Sequence, residues 1–133
     1  MRRPPRGFTL IELMIVVVIA AIVGVVAMPA YQQQMRKSRR AEAREAMMQL
    51  QAAQERWRST NVTYAGAVGT LGVSATTSGG NYAISLSGAT ATGYTATATA
   101  QAKQSGDTGC TSMTVTVAGN TTTYGPSNAC WGL

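Results

Sequence analysis

Three groups of residues carry most of the chemistry open to this chain. Glu12 is a carboxylate set inside the apolar stretch RGFTLIELMIVVVIAAIVGVVAMP, Arg6 to Pro29. Arg36, Lys37, Arg39 and Arg40 form a basic run just behind it, and Cys110 and Cys130 are the only thiols. The absence of histidine removes His-based triads, the usual general base and the commonest metal ligand. Serine and threonine abound, but no base, metal-ligand cluster or Gly-rich phosphate loop accompanies them. No catalytic residue, cofactor or metal is therefore expected, and the chain does not read as an enzyme. The cysteines are too few for a structural zinc site. Lacking C-x-x-C spacing, they fit one disulfide formed in an oxidising compartment, with two buried free thiols as the alternative. A bridge closing a loop of about 20 residues contributes on the order of 3 kcal/mol.

The formal charge of +6 is unevenly spread. Lys103 is the only basic residue after Arg58, and Asp107 the only acid after Glu55. A basic chain ordinarily points to nucleic acid or anionic lipid. Here the charge belongs to the leader and the first helical region, and residues 59–133 are close to neutral.

The elements that must position these groups follow from periodicity. Residues 1–7 (MRRPPRG) are short, basic and interrupted by Pro4 and Pro5. From Phe8 to Met28 only Thr9 and Glu12 are polar; as a helix this run spans roughly 31 Å, about one hydrocarbon thickness. Pro29 kinks or locally frees the helix without having to end it, because strong helix formers follow at once. Over 30–58, Ala43, Ala46, Met47, Leu50, Ala53 and Trp57 recur every three or four residues and make one apolar stripe. Arg40, Arg44, Gln51, Glu55 and Arg58 are expected mostly on the opposite side. If the two stretches are continuous, they form a helix of about 75 Å. Residues 59–80 read as a long irregular connection. Four strand candidates follow at 81–87, 94–102, 112–118 and 121–125, with threonine on one face and Ala, Val or Met on the other in the second and third. The AGN at 118–120 predicts a tight hairpin turn. The fold class is α+β: a long N-terminal helix, half membrane-buried and half amphipathic, on a thin four-stranded antiparallel sheet.

Three readings of the N-terminus compete. A secretory signal could use Val25 and Ala27 as its small-residue cleavage site, but the apolar run is too long and contains Glu12. A plain single-pass anchor fits the length and gives Glu12 no purpose, although a mid-membrane carboxylate costs about 2.5–3.5 kcal/mol. The third reading rests on RGFTLIEL, which resembles the class III signal of type IV prepilins and related pseudopilins. That resemblance implies cleavage after Gly7 and N-methylation of the new first residue, Phe8. Glu12 and Pro29 then fall where the family places its glutamate and its proline. It also implies assembly into a fibre, in which the Phe8 amine of an arriving subunit meets the Glu12 carboxylate of a neighbour. In an apolar surround such opposite charges attract strongly, and either alone would be costly, so one axial register is rewarded. In the family the helix often unwinds before this proline, starting at a glycine; here that position is Ala21, with glycine instead at Gly24.

Within the family the chain is most like a PilE-type minor pilin. Cys110 and Cys130 would pin a disulfide-bound C-terminal loop onto the sheet, with Trp131 capping it. The implied domains are a cleaved leader (1–7), a transmembrane and polymerisation helix (8–29), an amphipathic helix (30–58), a connecting loop (59–80), and the sheet with its disulfide region (81–133). The implied function is a structural subunit of a type IV pilus supporting pilus biogenesis, twitching motility and adhesion. Its partners would be other pilin subunits, the prepilin peptidase/N-methyltransferase, the inner-membrane assembly platform and, before assembly, membrane lipid. It would sit in the inner membrane with its C-terminal domain periplasmic, and after assembly in an extracellular pilus. A type II secretion pseudopilin is one alternative, though Asp107 alone gives poor support for a calcium site. A DNA-uptake pilin is the other. Its support is the run Arg36 to Arg40 with Tyr31 and Trp57 nearby. That run is expected instead to pair with Glu42, Glu45 or Glu55 of neighbours, and residues 59–133 lack a phosphate footprint. Nucleic acid is accordingly not expected as a partner.

Overall fold

The computed structural model describes residues 7–133, so all but the last residue of the expected leader lies outside the described residues. Helix α1 runs from Leu10 to Arg58 with Pro29 inside it. Strands β1 (Tyr82–Ser87), β2 (Gly93–Ala100), β3 (Ser112–Ala118) and β4 (Thr121–Gly125) follow, and a short helix α2 (Asn128–Trp131) ends the order. The chain divides into two compact units, one ending at Met35 and the other covering Arg36–Leu133.

The first unit is the front of α1. Its side chains from Phe8 to Tyr31 are exposed throughout, as expected of a helix whose apolar surface is all-round rather than one-sided. Pro29 lacks the N–H that would bond the Val25 carbonyl, yet helix formers on both sides carry α1 through it.

In the second unit the strands form an antiparallel meander in the order β1-β2-β3-β4. The back of α1 packs on this sheet through Ala43, Met47 and Leu50, three residues of the expected stripe, and Ala53 of the same stripe is buried as well. Opposite them stand Tyr82 and Ile84 of β1, Ala96, Ala98 and Ala100 of β2, and Met113 and Val115 of β3. Alternation decides the face: in register, Ala96 lies beside Val115 and Ala98 beside Met113, both pairs buried. The other face carries Thr95, Thr97, Thr99, Thr114 and Thr116, and the Thr95 and Thr116 hydroxyls lie 3.4 Å apart. β2 begins at a glycine because a Cβ at Gly93 would run into the Val117 carbonyl. The β3–β4 hairpin turns on Gly119, with φ 58°, and Asn120, within the AGN expected to turn.

Three expectations about detail are corrected. β2 stops at Ala100, not at 102, because Ala102 takes a left-handed φ of 48° and sends the chain into a 3-10 turn, Ala102–Gly106. The 59–80 connection is not irregular throughout: Val68–Leu71 form a 3-10 turn, Thr76 bridges to Ala83, and the buried Gln54 amide donates to the Ala65 carbonyl and accepts from its N–H, both at 2.9 Å. Arg40, Arg44 and Arg58 do not lie away from the domain; each reaches one of its loops, because carbonyls and a carboxylate there need donors.

Candidate functional site

Two regions collect the functional side chains, one in each unit. At the start of α1, Gly7 and Phe8 are exposed and precede the helix. Thr9 sits at its N-cap. The Glu12 N–H donates to the Thr9 hydroxyl at 3.3 Å, and the Thr9 N–H donates to the Glu12 carboxylate at 3.4 Å. This is the reciprocal capping box, which satisfies two orphan donors of a helix N-terminus. Glu12 therefore has a local partner inside its own chain. The sequence reading missed Thr9, although T-x-x-E before an apolar run is the recognised signature of such a box. Beyond it, the helix is long and apolar enough to cross a membrane, and the residues of that window are unburied.

In the second unit, the loop joining β2 to β3 is held on the first turn of that unit's helix. Arg40 grips the Asp107 carboxylate with two bonds of 2.6 Å, Nε to Oδ2 and Nη2 to Oδ1. Asp107 is 4% exposed. The guanidinium pKa is pushed up, mainly by this hydrogen bond to Asp107. Gln104, fully buried, places its Nε2 2.9 Å from Asp107 Oδ2, 3.0 Å from the Tyr82 hydroxyl and 3.3 Å from the Arg36 carbonyl. Burial raises the Tyr82 pKa, so its phenol stays neutral in this cluster. A Cβ at Gly106 would come within 2.9 Å of Arg36 Nη2, so the Arg36 guanidinium also lies over the loop. Lys103 is exposed on the same loop, and Lys37 is exposed on the helix turn beneath it. Arg40 thus pairs with Asp107 of its own chain, and Glu42 accepts from Asn81 Nδ2 at 3.1 Å.

The loop leads directly into the disulfide. The Cys110 N–H donates to the Asp107 carbonyl at 3.0 Å, and Cys110 is bonded to Cys130. Trp131 is buried beside it, with its indole N–H 2.7 Å from the Gly125 carbonyl and its ring 5.0 Å from that of Tyr124. Arg44 donates to the Trp131 carbonyl at 2.6 Å. The C-terminal loop is pinned to the sheet as the family resemblance implied, and the bond sets aside the free-thiol alternative. Among the described residues no group of three or more His, Cys, Asp or Glu is gathered that could hold a metal ion.

An apolar front helix with a cap at its start, a back half laid on a four-stranded antiparallel sheet, and a cysteine-bound C-terminal loop define a type IV pilin. Comparison with known families agrees: residues 2–28 match the prokaryotic N-terminal methylation motif. Residues 29–114, well over half of the chain, match the family described as type IV minor pilin ComP, DNA uptake sequence receptor. The chain belongs to that family of type IV minor pilins. No curated protein matches it. The minor-pilin expectation is met, but the PilE-type assignment within it is not distinguished by these matches. The expectation against nucleic acid as a partner loses its support, since the matched family is described as a DNA receptor. That expectation treats the Arg36–Arg40 run and residues 59–133 as separate surfaces, whereas folding brings the Lys103 loop onto the Arg36–Arg40 turn.

Proposed function

We propose that this chain is a minor pilin that receives DNA during uptake into the cell. It is made as a prepilin, cut after Gly7 and N-methylated at Phe8. Residues 1–7 are the leader, 8–29 the membrane and polymerisation helix, 30–58 the amphipathic helix, 59–80 the connection, and 81–133 the sheet and disulfide region. Before assembly it is stored in the inner membrane with its folded domain in the periplasm; afterwards it is part of an extracellular pilus. Glu12 and the Phe8 amine set the register between subunits, and the apolar side chains behind them supply the packing. The folded domain meets DNA phosphates with Arg36, Lys37, Arg39 and Lys103. The single observation supporting DNA receipt most strongly is the match of residues 29–114 to the receptor family.

Fluorescence anisotropy of a labelled mixed-sequence DNA duplex with the detergent-solubilised full chain tests this reading. Affinity should fall as salt rises, with a logarithmic slope of about −0.9 per phosphate neutralised. No binding at low salt would dismiss DNA receipt. Processing has its own test: intact-mass analysis of sheared surface fibres should find a chain beginning at Phe8 and carrying one methyl group.

The second reading is a PilE-type structural subunit serving pilus biogenesis, twitching motility and adhesion. The exposed apolar front of α1 supports it equally well, because either kind of subunit must pack into the fibre through it. Deleting the gene separates the two. Lost fibres and motility favour the structural role; intact fibres with lost DNA uptake favour the receptor.

A further inference from the structure

The DNA-binding surface proposed above draws on residues far apart in the chain, so something must hold them together. Lys103 is an exposed lysine on a loop that begins with a left-handed non-glycine residue, Ala102 at φ 48°. Such a backbone conformation persists only when its surroundings over-determine it. The surroundings here are specific. Asp107 gives both carboxylate oxygens to Arg40, and Gln104 reaches Asp107, Tyr82 and the Arg36 carbonyl from a fully buried position. A further tie lies at the loop's start, where the Gln101 N–H donates to the Asn81 carbonyl at 2.8 Å. Among the described residues the Gln104 carbonyl oxygen has no hydrogen-bond partner, so the side chain is held through its amide nitrogen. The Asp107 carboxylate is the nearest and the only charged acceptor of that nitrogen among the described residues. We propose that Arg40, Asp107 and Gln104 are positioning residues for DNA: they fasten the Ala102–Asp107 loop to the helix turn so that Lys103 completes one phosphate-binding surface with Arg36, whose guanidinium lies over the same loop. This rests on the DNA reading above.

The charge of Asp107 makes the proposal separable from plain electrostatics. Replacing an acid near a DNA surface by an amide raises the net positive charge, and electrostatics alone then predicts tighter binding. The positioning role predicts the opposite. Full-chain protein in detergent is titrated with the mixed-sequence duplex across a salt series, as wild type, Asp107→Asn, Lys103→Gln and the double variant. Expected is a three- to tenfold weaker affinity for Asp107→Asn, a salt slope shallower by about one phosphate contact in both single variants, and no further loss in the double variant. Binding by Asp107→Asn as tight as wild type, or a Lys103→Gln loss that is unchanged in the Asp107→Asn background, overturns the proposal. Should circular dichroism find Asp107→Asn unfolded, Gln104→Leu releases the same loop without changing charge, and the same comparison with Lys103→Gln decides. If the wild type binds no duplex, the DNA reading fails. Amide exchange over residues 102–110 then judges the fastening separately: unchanged protection in Gln104→Leu would overturn that part too.

Discussion

At the scale of single residues, the cap at the start of α1 and the buried phenols make the clearest predictions. Glu12→Ala removes one half of the capping box and the carboxylate proposed to meet a neighbour's amine. Membrane insertion should persist, since the apolar run is untouched, while the amount of the chain recovered in sheared fibres should drop severely by immunoblot. Fibre incorporation equal to wild type would remove Glu12 from assembly and leave it a helix cap. Tyr94 is 2% exposed, and burial, the largest cause, pushes its pKa from 10.0 up to about 12. The folded state therefore keeps a proton that the unfolded chain loses between about pH 10 and 12. Stability from this group is complete below pH 10 and declines as pH rises toward 12; Tyr64 and Tyr82 shift in the same direction. Denaturant melts across pH 9 to 12 should follow that decline, and Tyr94→Phe should flatten it. Glu12 was legible in the sequence because one ionisable group in an apolar run has no bland purpose there. The Arg40–Asp107 pair was not: its partners stand 67 residues apart, and nothing local marks either for the other.

At the scale of elements, α1 does different work along its length. Met47 is fully buried against the sheet whereas Met48, one residue on, is 60% exposed. Met47→Ala should cost about 2–5 kcal/mol, and Met48→Ala less than about 0.5 kcal/mol, when thermal or denaturant unfolding of the folded domain is compared. Equal effects would mean that the helix packs on another face. The three- and four-residue spacing of Ala43, Met47 and Leu50 disclosed this face, and the Thr-versus-apolar alternation disclosed β2 and β3. Gln54 escaped, since a glutamine on an amphipathic helix ordinarily faces water. Here it imitates a strand partner to Ala65 and fixes the connection that follows α1. Ala102 escaped for a related reason. Its sequence continues the β2 alternation, and only the packing of the loop on α1 shows why the strand ends before it.

At the scale of the whole molecule, the sheet is thin and the cysteine bridge compensates. Its loop of 20 residues joins the segment carrying Asp107 and Cys110 to the one carrying Trp131. Reduction should lower stability by about 3 kcal/mol, seen as an earlier denaturant midpoint. In a Trp57→Phe background, the emission of Trp131 should shift to the red as its segment leaves the sheet. An unchanged spectrum would show that Arg44 and the indole hydrogen bond hold the segment without the bridge. The architecture was legible because anchor, stripe, alternation and cysteines each carry a periodic or compositional signal. The basic run Arg36–Arg40 was legible too, but the approach of the Lys103 loop to it was not, because that contact exists only after the loop and the helix turn meet. The threonine face of β2 and β3 bears a quieter consequence. Its ladder of hydroxyls and methyls offers nothing to titrate and nothing for salt to screen. Whatever touches it is held by short-range contact alone, so any timing or release of that attachment has to be imposed from another part of the molecule.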